Sequence, residues 1–195
     1  NKEVDANFFQ HPPYMEMFNE ANDANLVLVQ PVYHAILGAY SSKHETLDAL
    51  PDGAQVAVPN DSSNLARSLQ LLEKGDLITL EEGVGLEAST KNIIENPKNL
   101  TFKAEYEAAF MPELYKNDEG DALLINSNHA IDAGLNPLED SIAIEETNSP
   151  YVNIVAVREG DENNKSVKAL VEVLTSKEIQ DFILEEWGGS VVPVK

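Results

Sequence analysis

Two stretches of this chain carry side chains whose types and spacing suit the capture of a small polar molecule. In Asp5-Ala6-Asn7-Phe8-Phe9-Gln10-His11-Pro12-Pro13-Tyr14, three aromatic rings, an imidazole and two amides run into consecutive prolines. Prolines fix φ and remove a donor, so the segment predicts a stiff turn or the entry to a helix. Such a turn can form one wall of a ligand pocket. The plainer alternative makes Phe8 and Phe9 ordinary core and His11 a surface residue. In Asn60-Asp61-Ser62-Ser63-Asn64-Leu65-Ala66-Arg67, a short strand Val56-Ala57-Val58 has just ended at Pro59. A helix is predicted from Ser62 to Lys74, capped by Asp61 and closed by Gly75, with Leu65, Leu69 and Leu72 on its apolar face. Its free N–H groups and positive dipole end point at the carboxyl edge of a sheet, where α/β proteins hold anions. Asn64 and Arg67 are three apart and share a helix face. A guanidinium there can grip a carboxylate with two parallel bonds. The alternative for Arg67 is a surface residue paired with a neighbouring Glu.

Asn126, directly after a predicted strand Asp121 to Ile125, and Asn153, after a Ser-Pro-Tyr turn, extend the set. Asparagine offers both a donor and an acceptor, which suits a zwitterionic amino acid. Asn128 and Asn148 read instead as turn residues. Catalytic and metal chemistry find less support. There is no cysteine, the four histidines have no H-x-x-x-H spacing, and no G-x-S-x-G elbow exists. Gly83-Val84-Gly85-Leu86-Glu87-Ala88 fits a dinucleotide pattern, but Glu81-Glu82 before it would repel a pyrophosphate, so it reads as a loop. No cofactor and no metal are expected. His11 is the one candidate for a general base.

These residues must be positioned by a predominantly α/β chain. Strands are predicted at Leu26 to Val29, Ala35 to Tyr40, Val56 to Val58, Leu77 to Leu80, Leu100 to Phe102, Asp121 to Ile125, Ser141 to Glu145 and Val152 to Val157. Helices are predicted at Ser62 to Lys74, Ser89 to Glu95, Ala108 to Tyr115, Asn128 to Ala133, Ser166 to Leu174 and Lys177 to Trp187. Strands alternating with helices argue for a largely parallel, doubly covered sheet. Turn chemistry after Tyr40 suggests a first lobe boundary near Ser41. Acidic pairs such as Glu81-Glu82 and Glu145-Glu146 read as solvated faces.

The chain has 195 residues, 13 basic and 34 acidic, for a formal net charge of −21. That field repels nucleic acid and anionic membrane surfaces. With 43% hydrophobic residues the chain is too apolar for a disordered acidic tail. No window approaches the ~18 apolar residues of a membrane span. The sequence opens at Asn1-Lys2-Glu3 without an initiator Met, which reads as a processed or truncated piece.

Taken together, DANFFQHPPY, GAYSSK, LPDGAQVAVPNDSSNLAR, NPKNLTF, LLINSNHAIDAGLNP, SPYVNIVAVR and GGSVVP, in this order, resemble the methionine-binding lipoproteins of bacterial ABC importers. The resemblance runs through essentially the whole chain. It implies an α/β, type II periplasmic-binding-protein fold of two lobes joined by two crossing strands and closing on an amino acid. Lobe 1 would comprise residues 1–41 and 150–195, lobe 2 residues 42–149, with the return crossing near Ser149 to Val157. It implies that Phe9, His11 and Tyr14 enclose the thioether, that Arg67 with Asn64 holds the carboxylate, and that Asn126 and Asn153 bind the polar head. The implied partners are L-methionine or a related amino acid and the permease subunits of an ABC importer, at the outer face of the membrane through a lipid anchor. Val32-Tyr33-His34-Ala35-Ile36-Leu37-Gly38 departs from the family's V-H-x-E-P-x-G, so a methionine-containing dipeptide or another small amino acid is the alternative ligand. An enzyme on a similar scaffold is the alternative from another class. The family has a strand, a helix and another strand before DANFFQH, so lobe 1 is expected to show exposed apolar faces and unpaired sheet edges.

Overall fold

The computed structural model describes residues 3–146 and 150–194. In chain order the elements are β1 (Asn7–Phe8), α1 (Pro12–Asn22), β2 (Leu26–Ala35), β3 (Leu37–Tyr40), β4 (Gln55–Pro59), α2 (Ser62–Lys74), β5 (Thr79–Leu80), β6 (Ile93–Glu95) and β7 (Thr101–Tyr106). There follow α3 (Met111–Lys116), β8 (Ala122–Asn126), α4 (Ser127–Asp132), β9 (Ser141–Ile144), β10 (Val152–Arg158), α5 (Lys165–Leu174), α6 (Lys177–Trp187) and β11 (Val191–Pro193). The chain divides into two units, residues 1–35 with 147–195 and residues 36–146. The sequence had suggested a division at residue 41. In the structure β3 pairs with β8 and β9, which ties residues 37–40 to the second unit's sheet. Residues 147–149, including the Ser149 start of the expected return crossing and the Asn148 turn, lie outside the described residues.

The first unit is built on a four-stranded antiparallel sheet in the order β1-β10-β2-β11. β2 runs unbroken from Leu26 to Ala35, where sequence had ended one strand at Val29 and begun the next at Ala35. Pro31 pairs with Ile154 beside a register shift that leaves Val32 as the extra residue on β2. His11 starts α1 as its N-cap, its Nδ1 accepting from the Tyr14 N–H at 3.2 Å, and Pro12-Pro13 occupy the first turn, where a missing donor costs nothing. Met15, Ile154 and Ala156 form the buried centre of this unit, with Leu26 and Val152 packed against them. The expected exposed apolar side chains are present: Val4, Phe18, Leu28, Val173, Phe182 and Leu184 all face solvent. Of the apolar stripes of α5 and α6, Val167 and Ile183 alone are buried.

The second unit contains a five-stranded sheet ordered β7-β4-β8-β3-β9, with β5 and β6 as a separate ribbon. The pairs around β4 are parallel and those around β3 antiparallel, so the sheet is mixed where a largely parallel one was expected. Alternation along β8 sends Leu124 to one face, with Leu37, Val56, Leu69 and Leu72, and sends Leu123 and Ile125 to the other, with Met111, Leu114 and Ala130. Helix α2 therefore covers one face, and α3 with α4 the other. Asn126, two residues beyond Leu124, falls on the α2 side. The predicted helix Ser89 to Glu95 is a single 3-10 turn, Thr90–Asn92, running into β6. Ile93 and Ile94 are β-branched and extend rather than winding on, with Ile93 and Glu95 paired to β5. The Gly83 to Ala88 motif forms a loop, and the depression of about 470 Å³ beside it is lined by Glu73, Glu81 and Glu82, which no pyrophosphate would tolerate.

Asp121 fastens the start of β8 to its surroundings. Its Oδ2 accepts from the Gln55 N–H at 2.8 Å, and Lys43 lies 3.5 Å from Oδ1. The Gln55 N–H first, with the Lys43 and His44 charges adding against partial burial, holds this carboxyl below its ordinary 3.8. A folded-state pKa below the unfolded value stabilises above the unfolded pKa and is lost as pH falls through the folded one. Asp121→Asn keeps an acceptor for Gln55 but removes the charge. We expect it to melt below wild type at pH 7 and to converge with it as pH drops below about 4 in thermal melts. No helix among the described residues is long and apolar enough to cross a membrane.

Candidate functional site

In the second unit the expected residues gather at the start of α2 and the end of β8. Asp61 caps α2, its Oδ1 accepting from the Asn64 N–H at 2.9 Å, and its Oδ2 accepts from Asn64 Nδ2 at 3.1 Å. With its amide so oriented, Asn64 presents Oδ1 to Asn126 Nδ2 at 3.0 Å. The amide of Asn126 is thereby fixed, and its Oδ1, buried, has no hydrogen-bond partner. A buried polar atom left unpaired costs about 1–3 kcal/mol, so such an atom calls for an explanation. Ser127 Oγ, next in the chain, is also buried and unpaired.

Arg67, one turn on from Asn64, is 4% exposed. It is paired with a Glu, as the plainer sequence alternative had it, but it is not a surface residue. Its Nε donates to Glu145 Oε2 at 2.8 Å, and its Nη2 donates to the same oxygen. Glu145 also accepts from the Leu37 N–H at 3.2 Å, while its own N–H donates to the Leu37 carbonyl at 2.9 Å. The sequence reading of Glu145-Glu146 as a solvated face holds for Glu146, 62% exposed beside Lys74, and fails for Glu145, at 13%. The two adjacent residues differ because extended backbone alternates its side chains between faces. Glu145 is thus the acidic member of this set that sequence reasoning missed. No local signal marks it, because its partner lies 78 residues away.

In the first unit, pairing of β1 with β10 brings the Phe9 to Tyr14 turn against Asn153. The Ile154 N–H donates to the Gln10 carbonyl at 2.9 Å, and Asn153 Nδ2 donates to the Phe9 carbonyl at 2.7 Å. Phe9 itself is 65% exposed and Tyr14 partly so, while His11 is buried, edge-on to Tyr14 and to Tyr151 at ring-centre distances of 6.2 and 5.1 Å. Tyr33 joins this set unforeseen: Asn153 Nδ2 approaches its hydroxyl at 3.4 Å, and its ring stands edge-on to Phe8 at 5.4 Å. Burial pushes the Tyr33 phenol up, against the Asn153 bond, so it stays protonated at neutral pH. Tyr151 is the other residue not foreseen. Its place directly after Pro150, two before Asn153, was the available signal.

Phe9, His11, Tyr14 and Asn153 therefore form one set with Tyr33 and Tyr151, and Asn64, Arg67 and Asn126 form another with Glu145. The first offers aromatic rings and an amide. The second offers a cation, an anion and an unpaired acceptor. Among the described residues no group of His, Cys, Asp and Glu is arranged to hold a metal ion.

Against known proteins, the family described as NlpA lipoprotein matches residues 1–195. The methionine-binding lipoprotein MetQ of Bacillus subtilis (strain 168) is 46% identical over 201 residues, covering 100% of this chain and 72% of that protein. Among solved structures, a nutrient binding protein from Burkholderia cenocepacia bound to methionine aligns with a TM-score of 0.94 at 39% identity, over 99% of this chain and 80% of that one. An ABC transporter periplasmic substrate-binding protein from Coxiella burnetii aligns at 0.92 and 39%, over 98% and 79%. The mixed α/β fold is that of these solute-binding proteins, in keeping with the type II architecture expected from the sequence.

Proposed function

The chain belongs to the NlpA lipoprotein family, and from that membership we propose that it is an extracytoplasmic solute-binding protein that captures methionine for an ABC importer. The observation that carries the reading is the set at the start of α2. A buried guanidinium stands with an adjacent carboxylate, and the buried Asn126 Oδ1 lacks a partner. An α-amino acid supplies complementary groups, a carboxylate for Arg67 and an ammonium for an acceptor. The rings of Phe9, His11 and Tyr14 suit the thioether, whose sulfur makes favourable contacts with aromatic edges. Asn153, held on the Phe9 carbonyl, is assigned to the polar head. The relatives' names and descriptions support both the ligand and the transport role.

The protein acts on this reading as a receptor without catalysis, kept at the outer face of the membrane by a lipid anchor and read by the importer's permease subunits. Isothermal titration with methionine, glycyl-methionine and leucine tests it. Methionine is expected to bind tightest, and leucine, lacking sulfur, more weakly. Preference for glycyl-methionine would move the assignment to a dipeptide. Turnover of an amino acid derivative would move it to an enzyme.

A further inference from the structure

We propose that Glu145 makes this site select ligands that carry an α-ammonium, by supplying the negative charge that group meets. The inference rests on the amino-acid reading above and adds a residue to it. Its starting point is the row across three strands. Leu37 pairs with Asn126 on one side, and on the other its carbonyl accepts from the Glu145 N–H and its N–H donates to Glu145 Oε2, one step beyond the Gly38–Ile144 pair of β3 and β9. Directly opposed residues of neighbouring antiparallel strands point to the same face. Asn126 and Glu145 therefore flank Leu37 on the face that α2 covers, where Asn64 and Arg67 sit.

The Glu145 carboxylate is used unevenly. Oε2 accepts from Arg67 Nε, Arg67 Nη2 and the Leu37 N–H, whereas Oε1 has no hydrogen-bond partner among the described residues. A carboxylate has lone pairs on both oxygens, so half of this one is uncommitted. Together with the unpaired Asn126 Oδ1, it makes two acceptors at one level of the sheet.

Charge balance leads to the same conclusion. Arg67 and Glu145 already neutralise each other, so a ligand that brings a carboxylate alone leaves the buried site with an uncompensated negative charge. A zwitterion brings both signs and leaves the sum at zero. Uncompensated charge is expensive away from water, so the pair would reject a des-amino acid that Arg67 alone would welcome. Had the site been built for simple carboxylates, the guanidinium would stand without an anion beside it.

Calorimetric titration of wild type and Glu145→Gln with methionine and with 4-(methylthio)butanoate, the same molecule without its amine, tests this. Wild type is expected to prefer methionine strongly. In Glu145→Gln the ratio of the two affinities should move toward the des-amino compound by roughly 10- to 100-fold, the worth of a charged hydrogen bond. Glu145→Asp, which keeps the charge, should retain the preference even if affinity falls. Equal weakening of both ligands in Glu145→Gln would reduce Glu145 to a positioning residue for Arg67 and overturn the proposal. Equal affinity of wild type for the two compounds would overturn it without any variant. Failure of wild type to bind methionine would instead bring down the amino-acid reading, and this inference with it.

Discussion

Arg67→Ala is expected to lower methionine affinity by roughly 100-fold or more, enough to abolish the heat signal in a calorimetric titration. The same substitution should lower the melting temperature of the ligand-free protein. It strands Glu145, 13% exposed, without its counter-ion, and breaking a buried pair from one side costs about 3–5 kcal/mol. The two effects are separable. Arg67→Met combined with Glu145→Leu replaces the pair by apolar groups of similar volume, which is often neutral for stability. The double variant should melt close to wild type and still fail to bind methionine. Binding by the double variant would remove the guanidinium from the proposed site, whatever the single variant does.

Leu72→Ala is expected to destabilise by about 2–5 kcal/mol, a fall of about 5–15 °C in melting temperature. Leu72 is fully buried with Leu69, Val56 and Leu124, where α2 lies on its sheet. The cavity left by the lost atoms is bounded by strands on one side and cannot collapse freely. Because the same helix carries Asn64 and Arg67 on its first two turns, the substitution is also expected to weaken methionine binding, though less than Arg67→Ala. A melting temperature unchanged by Leu72→Ala would mean that this face is looser than the burial indicates.

What could be read in advance follows the reach of the forces involved. Helix α2 was legible from Asp61 to Gly75 because its cap, its apolar spacing and its stop are all local to it. Arg67 and Asn126 were legible as binding candidates because a strand followed by a helix says where the carboxyl edge lies. Their environment was not. Glu145 next to Glu146 looks solvated until β9 is laid beside β3, an event no local pattern encodes. Ile93 and Ile94 follow a good helix cap at Ser89, yet the strand that starts at Ile93 and pairs with β5 prevailed over it. Strand direction was the weakest inference, because alternation reads the same for parallel and antiparallel neighbours and so hid the mixed sheet.

The points where the chain leaves and re-enters the first unit are neighbours: His34, near the end of β2, is paired with Val152, the first residue of β10. Inside the second unit, the Glu145 N–H donates to the Leu37 carbonyl and the Leu37 N–H to the Glu145 carboxylate, so the two ends of the insert are likewise joined. Topologically, residues 36–146 are a cassette spliced into the tip of a β-hairpin. The two ladders share no strand, so a scaffold of this kind is suited to trading one cassette for another and acquiring a different guest.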